Sequence, residues 1–79
     1  MFYVYAIKSV ERNYLYVGIT NSLERRLKEH EMGHNPTTKP YRPFRLIHFE
    51  QYPTRQLARK REKYFKSGSG KEFLKRISV

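Results

Sequence analysis

The sequence predicts an α/β domain of the α+β type, in which helices flank a three-stranded antiparallel sheet. Three short segments are rich in aromatic and β-branched residues, and the segments that follow the second and third of them carry apolar residues at helical spacing. The predicted order is therefore strand, strand, helix, strand, helix, helix. Three strands covered by helices can bury both faces of a sheet, and a chain of 79 residues has room for one such domain, residues 1–79.

The first two strands are predicted at residues 2–9 and 14–20. The connection between them, residues 10–13, is short and polar, which favours an antiparallel hairpin. Because side chains alternate along a strand, Tyr5 and Tyr16 each lie on a defined side of their strands. The alternation allows these two phenols to meet.

The first helix is predicted over residues 23–32, between a cluster of N-cap residues and a glycine. Arg26 and His30 are four residues apart, so both can lean over whatever the helix packs against. Residues 34–43 contain three prolines and are predicted to form a loop, and residues 44–52 are predicted to form the third strand.

The second helix is predicted to open at residues 53–54 and to run to about Ser67, with Glu62 on the flank of its apolar side. That apolar side is predicted to comprise Leu57, Ala58, Tyr64 and Phe65. Residues 68–70 are predicted to end this helix, and residues 71–77 to form a last short helix.

The charge balance favours a polyanionic partner. The chain carries 17 Lys and Arg against 7 Asp and Glu, which gives a net charge of +10. Lysines and arginines that neutralise phosphates release counterions, so nucleic acid, with DNA first, is the expected partner. The alternatives are a charge that serves only solubility and a basic segment that lies on anionic lipid.

The composition excludes several kinds of site. Without cysteine the chain has no disulfide, no thiolate zinc site and no cysteine nucleophile, as suits a reducing compartment. The longest apolar run near the start, residues 2–7, is too short for the core of a signal peptide or for a membrane span. We therefore expect a soluble, cytoplasmic protein that does not enter a membrane.

Residues 30–34 match the H-E-x-x-H pattern of zinc proteases. That site needs both histidines on one continuous helix. Gly33 lies inside the match, and an Asn-Pro pair comes directly after it, so the helix is expected to end before His34. A zinc protease is therefore not expected.

Residues 67–71, Ser-Gly-Ser-Gly-Lys, look like the end of a phosphate-binding loop. The full loop needs a glycine where Phe65 stands and a Ser or Thr where Glu72 stands. The expected structure is a helix stop and a turn, although Lys71 and the nearby amides could still hold a phosphate.

A third set of motifs is more specific. Tyr-Val-Tyr at residues 3–5 precedes Tyr-Val-Gly at residues 16–18, residues 23–30 then supply an Arg and a His, and Arg-Glu-Lys occupies residues 61–63. In this order and spacing the set resembles the GIY-YIG nuclease superfamily, most closely its small single-domain bacterial members. On these motifs the family's functional residues carry over to Tyr5, Tyr16, Arg26, His30 and Glu62.

Two positions depart from the family pattern, and the late asparagine of some homing-enzyme members has no clear counterpart in this sequence. The first motif lacks its usual glycine, which mainly affects strand packing. Ile19 stands where the excision-repair branch of the family has a lysine, so no role of that lysine carries over.

The resemblance implies a metal-dependent endonuclease that hydrolyses DNA phosphodiester bonds, with DNA repair as a related process. Glu62 would hold one Mg²⁺ or Mn²⁺ ion, and Arg26 would bind the phosphate through two N–H groups. A free phenol is a poor base at neutral pH, so Arg26 and the metal are expected to favour the phenolate of Tyr16, which would act as the general base. Whether Tyr5 and His30 orient the water, the phosphate or the leaving oxygen stays open.

Other interpretations of the same residues are open at this stage. Tyr5 and Tyr16 could be ordinary core tyrosines, and His30 could be a cation that favours a helix C-terminus. Glu62 could only pair with Lys66 one helical turn away. The whole domain could be a non-catalytic module that binds DNA or RNA, or a catalytic unit that a protein partner directs to its target. The oligomeric state is not set by the sequence.

Overall fold

The central feature of the fold is a three-stranded antiparallel sheet. The computed structural model describes residues 1–78 and places the strands at β1 (Phe2–Ser9), β2 (Leu15–Thr20) and β3 (Phe44–Tyr52), in the order β2-β1-β3. The predicted sheet is confirmed, and β2 begins one residue later than predicted. The hairpin between β1 and β2 is closed by a hydrogen bond from Ser9 N to Tyr14 O at 3.0 Å.

Helices lie on both faces of this sheet. They are α1 (Leu23–Glu31), α2 (Arg55–Lys66) and α3 (Gly68–Ile77). Val4 and Ala6 of β1 pack in the core with α2 and α3, whereas Tyr5, between them, points to α1. The residues of that core are Val4, Ala6, Val17, Ala58, Phe65 and Leu74. No helix within residues 1–78 is both long enough and apolar enough to cross a membrane.

The apolar side of α2 is narrower than predicted. Ala58 and Phe65 are buried, but Leu57 is 42% exposed and Tyr64 is 40% exposed. The buried stripe passes through Arg61, whose guanidinium reaches β3. The prediction was wrong for Leu57 and Tyr64, because the sheet covers only one stripe of the helix and apolar character alone does not show which stripe that is.

The glycines after α2 form the first turn of α3, so the predicted start of the last helix at residue 71 was wrong. Ser67 caps this helix, because its Oγ accepts a hydrogen bond from Gly70 N at 3.4 Å. A Cβ on Gly70 would lie 2.0 Å from the carbonyl oxygen of Tyr64. Gly70 therefore lets the start of α3 pack directly against the end of α2.

α1 ends at Glu31, and Gly33 lies just beyond it with a left-handed φ of +78°. His30 is buried within the helix, whereas His34 lies beyond it and is exposed. The two histidines of the H-E-x-x-H match are therefore not on one helix, as expected. The loop after α1 contains a short 3-10 helix, Lys39–Tyr41, which was not predicted.

A charged cluster connects α2 to β3. Arg61 donates hydrogen bonds to both carboxylate oxygens of Glu50, at 2.9 and 3.0 Å. The Tyr52 hydroxyl and His48 Nε2 donate to the same carboxylate, at 2.5 and 2.9 Å. These bonds, above all those from Arg61, lower the pKa of Glu50 from 4.5 to about 2. The carboxylate is therefore ionised at neutral pH, and its two bonds from Arg61 hold α2 against β3.

Gly70→Ala is expected to destabilise the protein, because the added methyl group would overlap the Tyr64 carbonyl oxygen. We expect a loss of about 1–3 kcal/mol in the free energy of unfolding, as at other overpacked sites. Gly68→Ala is the matched control, since a Cβ there meets no heavy atom within 4 Å. Urea unfolding followed by circular dichroism measures both variants, and equal stabilities would contradict the close packing of α2 on α3.

Glu50 should make the stability fall in acid. Its pKa is lower in the folded chain than in the unfolded chain, so its charged form stabilises the fold above about pH 4.5, and this contribution disappears as the pH falls toward about 2. We expect Glu50→Gln to remove on the order of 2 kcal/mol at neutral pH. The variant should also lose less stability than the wild type between those two pH values. Urea unfolding across this range measures the effect, and identical pH profiles would refute it.

Candidate active site

Four of the five candidate site residues lie together on the α1 face of the sheet. The ring centroids of Tyr5 and Tyr16 are 6.3 Å apart. The His30 ring lies 5.8 Å from the ring of Tyr5 and 5.1 Å from the ring of Tyr16. Arg26 comes from the same helix as His30, and its Nε is 3.4 Å from the Tyr5 hydroxyl oxygen. The hairpin and α1 thus bring two phenols, an imidazole and a guanidinium to one place.

Gly18 makes room for the side chain of Tyr5. The two residues stand opposite each other in the β1–β2 ladder, and a Cβ on Gly18 would lie 2.7 Å from the Tyr5 hydroxyl oxygen. A side chain at this position would push the phenol away from its partners on α1. The glycine of the Tyr-Val-Gly motif is therefore a packing requirement of the site.

A chain of hydrogen bonds runs inward from Arg26. Its Nε donates to the Tyr5 hydroxyl oxygen at 3.4 Å, and that hydroxyl lies 2.8 Å from His30 Nε2. His30 Nδ1 lies 2.9 Å from Thr38 Oγ1, and Thr38 Oγ1 donates to the Asn35 carbonyl oxygen at 3.4 Å. Because Thr38 donates to that carbonyl, it accepts from His30, which assigns the imidazole proton to Nδ1. Tyr5 then donates to Nε2, and every group in the chain has a partner.

Burial keeps Tyr5 and His30 uncharged. Both residues are 1% exposed. Burial raises the pKa of Tyr5 to about 12. Burial also lowers the pKa of His30 below its ordinary value, and the charge of Arg26 adds to this effect. The interpretation of His30 as a cation at a helix C-terminus is therefore wrong, since a buried imidazole near a guanidinium is neutral at neutral pH.

Arg26 is partly exposed to solvent, and part of its guanidinium makes no hydrogen bond within residues 1–78. Its hydrogen bond to Tyr5 is the main cause that raises the pKa of Arg26 above its ordinary value. Nη1 donates to Glu29 Oε1 at 3.1 Å, and the side chain is 33% exposed. Within the part of the chain that the structure describes, Nη2 makes no hydrogen bond. One edge of a fixed guanidinium is thus left for a ligand.

Tyr16 differs from Tyr5 in its surroundings. It is only partly buried, and its hydroxyl has no hydrogen-bond partner among residues 1–78. No buried side-chain oxygen or nitrogen in these residues lacks a partner, so the hydroxyl of Tyr16 reaches solvent. Of the two phenols, Tyr16 is therefore the one that can meet a water molecule or a substrate.

Glu62 lies on α2, on the other face of the sheet. Its side chain is 16% exposed, and its carboxylate pairs with Lys66 Nζ at 3.2 Å and with Arg59 Nε at 3.9 Å. No hydrogen bond or ion pair within the described residues joins it to the four clustered residues. Arg61, the preceding residue, reaches toward β3, so Glu62 faces the opposite flank of the helix, toward β2.

The direction of α2 places Glu62 nearer the start of β2 than its end. α2 runs antiparallel to β2, because Arg55 lines a groove with the end of this strand and Lys66 lines a groove with its start. Glu62 falls about 6 Å before Lys66 along the helix axis, and Lys66 lines a groove together with Tyr16. Glu62 is thus one helical turn from a residue that shares a groove with Tyr16.

The donor set at Glu62 fits one kind of metal ion. Within residues 1–78 no three His, Asp, Glu or Cys side chains are grouped so that they could hold a metal together. Glu62 could therefore give a metal a single carboxylate ligand. Mg²⁺ keeps several waters and is often bound through one or two carboxylates together with substrate phosphates. The residues present fit an ion of this type whose coordination is completed by water and phosphate.

Two residues that hold the site were not predicted from the sequence. Glu29 fixes Arg26, and Thr38 fixes His30. The spacing of Arg26 and Glu29, three residues apart on a helix, is a signal that could have identified the first. Thr38 is buried but lies in the proline-rich loop, where no periodicity shows which side chains turn inward.

The motif order and the geometry match a known family. The family model described as the GIY-YIG catalytic domain matches residues 1–76. The chain belongs to the GIY-YIG family. Its fold is similar to the solution NMR structure of the UPF0213 protein BH0048 from Bacillus halodurans, with 31% sequence identity and a TM-score of 0.57. That match covers 98% of this chain and 85% of the other.

The relatives place this GIY-YIG domain in one group of the family. It is 37% identical over 79 residues to a UPF0213 protein of Clostridium perfringens, a match that covers 99% of this chain and 84% of the relative. It is 39% identical over 66 residues to a UPF0213 protein of Haloquadratum walsbyi, with 82% of this chain and 73% of the relative covered. The resemblance inferred from the motifs is confirmed, and the domain is of the UPF0213 type within a nuclease-type family.

Thr38→Val should destabilise this GIY-YIG site by removing the hydroxyl that binds His30 Nδ1. Valine has nearly the shape of threonine but cannot accept the proton of His30 Nδ1, and a buried donor without a partner costs about 1–3 kcal/mol. We expect that loss in urea unfolding, together with a shift of His30 toward its other tautomer in ¹⁵N NMR spectra. Thr38→Ser keeps the hydroxyl and is the control. An unchanged His30 spectrum in the valine variant would argue against the hydrogen-bond chain.

Proposed function

We propose that this GIY-YIG domain is a divalent-metal-dependent endonuclease that hydrolyses phosphodiester bonds, with DNA as its substrate. The difference between the two clustered tyrosines carries the proposal. Tyr5 is buried and hydrogen-bonded on both sides, whereas Tyr16 presents its hydroxyl to solvent near Arg26. An accessible phenol beside a guanidinium can serve acid–base chemistry at an anionic phosphate. The net charge of +10 supports a polyanionic substrate.

Tyr16 is the general base in this proposal. It would accept the proton of the water that attacks phosphorus, and Arg26 lies near it to bind the phosphate. Tyr5 is unsuited to this role, because its pKa of about 12 and its burial keep it protonated and away from solvent.

Arg26 is the phosphate-binding residue. Tyr5 and Glu29 fix its Nε and Nη1, so the remaining edge of the guanidinium points in a set direction before any substrate arrives. A donor fixed in advance stabilises the charge that develops on the phosphate without rearranging during the reaction. Tyr5 and His30 then act through Arg26, as positioning residues.

Glu62 would hold one Mg²⁺ or Mn²⁺ ion, whose charge would stabilise the phosphate and the leaving oxygen. Its present partners, Lys66 and Arg59, are long side chains that are 54% and 56% exposed. Both can turn into solvent, so the carboxylate can exchange them for an ion. The position of Glu62, one helical turn from Lys66 and the groove that Tyr16 also lines, supports this role.

The proposal also covers how the domain finds its target and where in the cell it acts. A domain of this size has little surface for reading base sequence beyond phosphate contacts, so we propose that a protein partner directs it to its target. A cytoplasmic location and a part in DNA repair are the setting in which such an activity would be used.

A non-catalytic module that binds DNA or RNA is the second candidate function. The ion pairs of Glu62 with Lys66 and Arg59 favour it, because a carboxylate with a purely structural role needs no metal. Such a module would bind nucleic acid in a strongly salt-dependent manner, and a chelator would not change the binding.

Tyr16→Phe and Glu62→Gln should each abolish cleavage and leave binding intact. Loss of a general base costs about 10²–10⁴-fold in rate, and we expect at least the lower figure for both variants. The assay is nicking of plasmid, single-stranded and branched DNA with Mg²⁺ or Mn²⁺, and binding is measured separately in chelator.

The matched controls make the same chemical changes at exposed positions. Tyr64→Phe on α2 and Glu72→Gln on α3 should cleave at the wild-type rate. If Tyr16→Phe and Glu62→Gln both cut like the wild type, the site assignment is wrong. A wild-type protein that binds all three DNAs and cuts none of them would leave the binding module as the function.

A further inference from the structure

A groove of about 490 Å³ lies beside the candidate active site, between the start of β2 and the junction of α2 with α3. The residues that line it lie on both faces of the sheet at the edge of β2. We call it the lysine groove and define it by Tyr14, Leu15, Tyr16, Lys66, Lys71 and Lys75. It is adjacent to the proposed catalytic base, because Tyr16 forms part of its wall.

Two lysines of the lysine groove have no acidic partner within residues 1–78. Lys66 pairs with Glu62 at 3.2 Å. For Lys71 and Lys75 no carboxylate lies within 4.0 Å in the part of the chain that the structure describes, and no acidic residue lines the groove. These two lysines are four residues apart on α3, so both ammonium groups extend to the same side of the helix. The groove therefore suits a ligand with negative charge at its rim.

The interior of the lysine groove is apolar and aromatic. Leu15, Phe65 and Leu74 line it together with Tyr14. The Tyr14 ring is stacked on Tyr41, with ring centroids 3.8 Å apart and an interplanar angle of 5°, so its position is fixed. A rigid aromatic wall close to Lys71 and Lys75 is the combination with which proteins bind the bases and the backbone of single-stranded nucleic acid.

We propose that the lysine groove binds an unpaired nucleotide of the substrate strand next to the bond that is cut. The base lies against Tyr14 and Leu15, and the backbone phosphate contacts Lys71 and Lys75. A base inside a duplex has both faces covered by its neighbours, so only a base outside the stack can cover the apolar interior. The inference rests on the proposed function, since Tyr16 is taken both as the general base and as the border of the groove.

A second basic groove at the other end of β2 supports this path for the strand. It is lined by Arg25, Arg26 and Arg55, close to the last residues of the strand. A backbone that passes Tyr16 along the edge of β2 would meet lysines on one side of the cleaved bond and arginines on the other. Contacts on both sides would hold the phosphate in line with the groups that act on it.

The test measures binding of two end-labelled probes, a short single-stranded DNA and the duplex of the same sequence, by fluorescence anisotropy in chelator. The wild type should bind the single strand more tightly than the duplex. The double variant Lys71→Gln, Lys75→Gln should lose about tenfold in affinity for the single strand and at most about twofold for the duplex. Because each phosphate contact to a single strand contributes about 0.7 to the salt dependence, the slope should fall by about 1.4.

The matched control is Lys60→Gln, Lys63→Gln, which removes the same charge from exposed positions of α2 that do not line the groove. It should weaken both probes equally and by no more than about twofold. The proposal is overturned if the groove variant loses no affinity, if it loses equally on both probes, or if the control variant loses as much on the single strand.

Cleavage by the wild type is scored separately, so the two proposals fail in different ways. Selective loss of single-strand binding without any cleavage by the wild type would refute the endonuclease and keep the groove as a nucleotide site. Normal cleavage with unchanged single-strand affinity in the groove variant would refute the groove alone.

Discussion

The hydrogen bond between the Tyr5 hydroxyl and His30 is the contact on which the site depends. α1 has nine residues, too few for a stable helix by itself, and Leu23 and Leu27 are only partly buried. The buried hydrogen bond between Tyr5 of β1 and His30 therefore determines the position of this helix on the sheet. Thr38 holds the other nitrogen of the imidazole. Arg26 lies one turn earlier on α1, so the bond that positions the imidazole also positions the guanidinium.

Features set by local periodicity could be predicted from the sequence, whereas features set by packing in three dimensions could not. Alternation along two strands was enough to indicate that Tyr5 and Tyr16 would meet, and they do. Apolar character alone placed Leu57 in the core, although the sheet covers a different stripe of α2. Gly70 was taken for part of a turn, because its need to pack against the preceding helix is not visible in the sequence. Thr38 was missed because it lies in a proline-rich loop, where no periodicity shows which side chains are buried.

Glu50 and Glu62 are both partly buried carboxylates, but their partners differ. Glu50 accepts hydrogen bonds from Arg61, Tyr52 and His48, and its lowered pKa reflects a charge that is fully used inside the fold. Glu62 pairs only with exposed side chains of its own helix. Removing Arg61 would break the hydrogen bonds that join Glu50 to α2, whereas the partners of Glu62 can leave without breaking an ion pair between two elements. Of the two, Glu62 is therefore the carboxylate that can take a ligand.

The exposed edge of β2 connects the stability of the fold with its function. An uncovered edge strand can pair with another chain, and proteins commonly prevent this with charged side chains. Here the edge is bordered by cationic side chains from all three helices, namely Arg26 of α1, Arg55 and Lys66 of α2, and Lys71 and Lys75 of α3. A second copy of this chain that approaches the edge therefore meets charge of the same sign. A covering helix would protect the strand equally well, but it would close the route to Tyr16 and Glu62. Repulsion between cations keeps the edge open, and the same charge attracts a polyanion to it.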